Sequence, residues 1–183
     1  MKKIYYTDKQ IRGWAHDIIR AMAKDSWRPD YIVGLTRGGL TPALMLSHYL
    51  NIPMKSLDVR LRDGDERVSN LSMAEDAFGW VEGGYQGLGN NSAFDYTIHA
   101  KNILIVDDIN DTGATLNWIK EDWRSGCLPM HVRWENVWGH NVRTAVLVDN
   151  QTSEFSNIDY SGIQINKHND PCWIVFPWEE WWR

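Results

Sequence analysis

A chain of 183 residues, 43% hydrophobic and carrying a formal net charge of −5, is long enough for one domain with its own core. That charge excludes a broad nucleic-acid surface, which needs a basic excess, and no apolar run of about 18 residues marks a membrane span. The opening MKKIYYTDKQ lacks the apolar stretch of a signal peptide, and Cys127 and Cys172 stand apart without metal-ligand spacing, so a cytoplasmic protein with reduced thiols is expected.

Thr7 and Gln10 have the spacing of a capping box, and Ile11, Trp14, Ala15, Ile18, Ile19 and Met22 follow at helical spacing with one apolar face. Arg28-Pro29-Asp30 breaks the pattern. Residues 31–35 then read as a buried strand, ending in the turn Thr36-Arg37-Gly38-Gly39-Leu40. Thr41 as N-cap and Pro42 at the first helical position predict a helix over 43–50, stopping near Asn51 and Pro53. Residues 54–59 read as a third strand. The polar segment 60–101 is rich in glycine between 79 and 89; a short helix over 69–78 fits, without a steady core pattern. Structureless loops of such length are uncommon in compact domains and tend to serve as lids or linkers.

Residues 103–106, Ile-Leu-Ile-Val, form a short apolar run expected as a buried parallel strand. It ends in two adjacent carboxylates, Asp107 and Asp108. A polar turn, Ile109-Asn110-Asp111-Thr112-Gly113, leads into a helix with Leu116, Ile119 and Trp123 inward. In open α/β sheets ligands bind beyond the carboxyl ends of strands, so this junction is the expected site. Small residues, two hydroxyls and unpaired N–H groups at a helix start make an anion cradle. Paired acids beside such a cradle call for a divalent cation or a sugar diol between them. Further on, Trp134 and Trp138 stand at helical spacing in 127–141, and a strand over 144–148 ends at Asp149-Asn150. The C-terminal part alternates at Ile163 and Ile165, then runs through an apolar stretch, 172–176, to Pro177-Trp178-Glu179. Eleven tryptophans, several of them late in the chain, leave room for a homo-oligomer.

Other chemistries lack their motifs. No GxxxxGK[ST] loop occurs, and the glycines at 84, 87 and 89 follow no strand, so neither a P-loop nor a dinucleotide fingerprint is supported. The six histidines never fall at i, i+3 or i, i+4, which disfavours zinc, and no GxSxG elbow is present.

The strand, the two acids, a variable pair and then Asp111-Thr112-Gly113-Ala114-Thr115 together resemble the signature of the type I phosphoribosyltransferases. The Arg37-Gly38-Gly39 turn is similar to the pyrophosphate-binding loop of the 6-oxopurine members, and Trp173-Ile174 with Pro177-Trp178 resembles their aromatic C-terminal segment. The resemblance is closest to the short xanthine–guanine and hypoxanthine enzymes and covers most of the chain. It implies a single α/β domain over 1–183: a twisted, mainly parallel sheet flanked by helices, a lid-like insertion over 60–101 and a C-terminal hood over 149–183. It implies transfer of the 5-phosphoribosyl group of PRPP (5-phosphoribosyl-1-pyrophosphate) to a purine base in purine salvage, with Mg²⁺ as cofactor. By the same resemblance Asp107 and Asp108 hold the ribose hydroxyls and the metal, and Asp111 to Thr115 cradle the 5′-phosphate. Asp111 matches the general base, Arg37 and Gly38 meet pyrophosphate, Trp173 stacks on the base, and the Ile174 backbone reads its edge. One departure stands out. Family members acting on 6-oxopurines usually carry a lysine just after the strand over 144–148, where this chain has Asp149-Asn150-Gln151; Lys167 is the substitute the hood offers. Two other classes would keep the cradle: a PRPP-binding regulator without turnover, and a transferase acting on a pyrimidine or other acceptor.

Overall fold

Alternation of apolar runs with amphipathic helices produces a parallel sheet covered on both faces. The computed structural model describes residues 1–59, 71–79, 100–126 and 137–179. Five strands form the central sheet in the order β3 (Met54–Asp58), β2 (Tyr31–Thr36), β4 (Ile103–Asn110), β5 (Val142–Asn150) and β6 (Tyr160–Ile165), each neighbouring pair parallel.

One face is closed by α1 (Asp8–Lys24) and α2 (Leu40–Leu50). Ile11, Ile18 and Met22 of α1 and Leu46 of α2 pack there with Leu104, Val106 and Leu147 of the sheet. The capping box that starts α1 is present as read: Thr7 accepts from the Gln10 backbone, and the Gln10 side chain accepts from the Thr7 N–H. On the other face, Ile105 and Leu57 meet Ala77 of α3 (Leu71–Phe78) and Ile119 and Trp123 of α4 (Ala114–Gly126). Each large aliphatic fully withdrawn from water contributes about 1.5–3 kcal/mol, so these two layers hold the strand ends in fixed register. Among the described residues no helix is long and apolar enough to cross a membrane.

Several elements differ from the reading of the sequence. Strand β4 runs on through the two acids to Asn110, because β5 continues beside it and pairs with Asp107, Ile109 and Asn110. Helix α2 starts at Leu40 rather than after Pro42. Its N-cap is Gly39, which makes no side-chain cap, and Ala43 N–H donates to the Gly39 carbonyl at 3.0 Å. Pro42 lies in the first turn, where its missing N–H costs nothing. The 71–78 helix has a core pattern after all, since Met73, Ala74 and Ala77 are buried. The remainder of the lid expectation, 60–70 and 80–99, lies outside the described residues, as do residues 127–136 with Trp134. Trp138 is not helical: it sits in a turn, bridged to Val142, with its ring 5.7 Å from that of Trp123.

The expected hood is also divided differently. Up to Ile165 the 149–183 segment belongs to the central sheet. Strand β7 (Cys172–Val175) pairs instead with β1 (Lys2–Tyr5), in a parallel two-stranded sheet that the sequence KKIY does not announce.

Candidate active site

Strands β2, β4 and β5 end side by side, and their carboxyl ends carry the predicted residues. The turn after β2 is pressed against the acids of β4. A β-carbon on Gly38 would overlap the Asp108 carboxylate, and one on Gly39 would stand 2.9 Å from Asp107 Cα and overlap the Val106 carbonyl. Only glycine permits that approach, and Arg37, next to it in the turn, is exposed. The Thr36–Arg37 peptide is cis, and Thr36 Oγ1 donates to Asp58 Oδ1 at 2.8 Å, linking β2 to the end of β3.

Asp107 and Asp108 are half-buried, and Asp108 N–H donates to Asp107 Oδ1 at 2.9 Å. Burial raises both carboxyls above their ordinary range. The charge of Asp108 raises Asp107 further. Asp108 is pushed up to about 6 by burial, with the negative charge of Glu179 adding to it. Two oxygen-rich side chains whose charged forms are penalised in this way suit a hard divalent cation. Among the described residues no cluster of three or more His, Cys, Asp or Glu could hold a metal ion unaided.

The cradle follows directly. Gly113 adopts φ +86, a left-handed conformation that costs glycine nothing, and a β-carbon there would lie 2.7 Å from Ser153 Oγ. That turn lets α4 begin at Ala114, so the Thr115 and Leu116 N–H groups face out of the helix start without intrahelical partners. Thr112 caps it, accepting from Ala114 N–H at 3.4 Å, while its carbonyl accepts from Glu154 N–H at 3.0 Å. Thr112 and Ala114 are exposed and Thr115 is half-exposed, as ligand contacts require.

The loop after β5 buttresses this junction through contacts the sequence does not announce. Asn110, 2% exposed, donates from Nδ2 to Asp149 Oδ1 and to the Phe155 carbonyl, both at 2.9 Å, and accepts from Ser153 Oγ at 2.8 Å. Asp149, the first residue of the stretch noted above as a departure from the family pattern, is therefore engaged by its neighbour on β4. Asn150 is buried, and its Nδ2 donates to the Asp111 carbonyl at 2.9 Å. Lys167 Nζ lies 2.8 Å from Asp111 Oδ1. The signal for these contacts was only the polarity of residues inside apolar strands; the partners are too distant in sequence to infer.

From the hood, Trp173 presents a half-exposed indole on β7 (49%), and Ile174 turns into the core. Glu179, whose Oε2 accepts from Phe176 N–H at 2.8 Å, ends the described chain within electrostatic reach of Asp108. The strand-turn-helix junction thus gathers Gly38, Asp107, Asp108 and the stretch from Asp111 to Thr115, with the exposed Arg37 next to Gly38 in the turn. For Trp173 and Ile174 the structure gives a place on the hood strand.

Comparison with known proteins agrees with this geometry. A family model described as the phosphoribosyl transferase domain matches residues 3–181. The hypoxanthine-guanine phosphoribosyltransferase of Schizosaccharomyces pombe is 25% identical over 97% of this chain and 89% of its own length. A crystal structure of a purine phosphoribosyltransferase from Pyrococcus horikoshii superposes with a TM-score of 0.63 at 27% identity, covering 98% of this chain and 96% of that one. The xanthine-guanine-hypoxanthine phosphoribosyltransferase of Helicobacter pylori, 17% identical, shares the fold with a TM-score of 0.62 over 97% of this chain and 94% of its own. With the acid pair, the anion cradle and the glycine turn in one place and nearly the whole length matched, the chain belongs to the phosphoribosyl transferase domain family.

Proposed function

We propose that this protein transfers the 5-phosphoribosyl group of PRPP to a 6-oxopurine, giving the nucleoside monophosphate and pyrophosphate, as a purine-salvage enzyme. The observation that carries the reading is the close contact between the Gly38 turn and Asp108, which sets the glycine turn directly against the acid pair that leads into the phosphate cradle. The relatives named for hypoxanthine, guanine and xanthine support the choice of base.

In the reaction the bond from ribose C1 to the pyrophosphate oxygen breaks, a bond to a purine ring nitrogen forms, and a ring N–H proton is lost. Asp111, with its side chain 43% exposed, is the group to accept that proton. The N–H groups and hydroxyls from Thr112 to Thr115 hold the 5′-phosphate, so ribose cannot turn as its C1 gains positive character. Asp107 and Asp108 accept from the ribose hydroxyls and stand near the developing cation, where fixed negative charge stabilises it. Arg37 and the Gly38 backbone bind the leaving pyrophosphate. The Trp173 indole stacks on the base, with the Ile174 backbone at its edge. Asp107 and Asp108 fit Mg²⁺, which keeps several waters and, when bound, would neutralise leaving-group charge.

Product analysis tests the reading. PRPP, Mg²⁺ and hypoxanthine or guanine should yield the matching monophosphate, and adenine or uracil should yield far less. A monophosphate formed only with a pyrimidine would overturn the assignment.

A further inference from the structure

The Asn150 side chain is buried and hydrogen-bonded at both ends of its amide. It is 5% exposed; its Nδ2 donates to the Asp111 carbonyl at 2.9 Å, while its Oδ1 accepts from Lys167 N–H at 3.1 Å and from Thr152 Oγ1 at 3.0 Å. One buried side chain thus ties the backbone of the turn after β4 to the backbone of the turn after β6. The strand register assists, since Asn150 lies opposite Ile165, two residues before Lys167.

The consequence is a carboxylate–ammonium pair of fixed geometry. Lys167 Nζ and Asp111 Oδ1 are 2.8 Å apart, the lysine side chain 17% exposed and the aspartate 43%. Among the described residues Asp111 is the one ion-pair partner of Lys167. An ammonium has three donors, and a single contact to Asp111 leaves others for a ligand. The pair presents an acceptor next to a donor. Its complement is a flat ring edge with an N–H beside a carbonyl oxygen, which a 6-oxopurine offers at N7–H and O6. A 6-aminopurine places an amino donor against the ammonium and leaves both unpaired, a costly arrangement at a shielded site.

We propose that Lys167, delivered from the turn after β6 and held in place by Asn150, is the group that selects a 6-oxo over a 6-amino purine. It takes over the task that the chain's Asp149-Asn150-Gln151 cannot perform. Asn150 is a positioning residue that acts through Asp111 and Lys167. The inference rests on the transferase reading above.

The test is the ratio of kcat/KM for hypoxanthine to that for adenine, with the KM for PRPP measured alongside. Lys167→Met should lower kcat/KM for hypoxanthine about 10- to 100-fold, chiefly through KM for the base, leave KM for PRPP within about twofold, and spare or improve adenine. Asn150→Ala should compress the ratio in the same direction but less. If Lys167→Met does not fold, Lys167→Arg keeps the charge while displacing the donor and should also compress the ratio. An unchanged ratio in variants that remain folded, or an equal loss for every base, overturns the role of Lys167 while leaving the transferase reading intact. No turnover of any base by the unaltered protein would remove that reading, and this inference with it.

Discussion

Gly38 and Asp108 touch: the turn after β2 lies so close to the acid pair of β4 that no β-carbon fits between them. Gly38→Ala must therefore push the Asp108 carboxylate or the turn aside. Turnover should fall at least about tenfold, because the acids are displaced together with the turn proposed to bind pyrophosphate. Gly13→Ala is the control. Gly13 lies on the exposed side of α1 with nothing within 4 Å of an added β-carbon, so this change should raise stability by about 0.5–1 kcal/mol and leave kinetics alone. Thermal melts and steady-state kinetics on the two variants check both halves.

Asp108 has a pH signature. Its carboxyl is raised to about 6 in the folded protein, against an ordinary 3.8. Between those values the folded state holds a proton that the unfolded chain has released, so stability falls as pH rises through the interval. Asp108→Asn removes the penalty. The variant should be more stable than the parent by about 1–2 kcal/mol at pH 8, after allowing for solvent screening, with the gain fading towards pH 4. Its turnover should drop about 100-fold or more if, as proposed, this carboxylate serves the ribose. Melting curves across that pH range decide it; a lower melting temperature at pH 8 would make Asp108 a structural residue.

The signature stretch was legible because its information is local. Apolar residues 103–106, two acids and a Thr-Gly turn sit next to each other, and the parallel strand, helix α4 and cradle follow from that order alone. The capping box of α1 was local in the same sense. What escaped depends on partners far along the chain. KKIY has no strand pattern and becomes β1 only because β7 offers a free edge. Strand β4 runs on through Asp107 and Asp108 because β5 runs on beside it. Gly39 replaced Thr41 as the start of α2 because the turn had to fold tightly against Val106. The Asn110 and Asn150 clamps bridge separate strands, and nothing in their immediate neighbours marks them.

Trp173 and Ile174 are adjacent but opposite in exposure, 49% against 6%. Trp173→Ala removes a surface indole and should change the melting temperature little. If the indole stacks on the base, KM for every acceptor should rise by a similar factor, on the order of 10-fold, without reordering them. Ile174→Ala should instead cost about 2–4 kcal/mol of stability by leaving a cavity beneath the hood. Base-by-base kinetics paired with denaturant unfolding distinguish the two effects.

The central claim is that the junction of β4 and α4 turns PRPP over rather than merely binding it. Pyrophosphate release from PRPP by the purified protein, with Mg²⁺ and with or without a purine acceptor, tests this most directly. The account predicts release that requires both PRPP and a base, is strongest with 6-oxopurines, and is nearly abolished by Asp111→Asn. Saturable PRPP binding with no pyrophosphate released for any base would contradict it and make the protein a PRPP-responsive regulator.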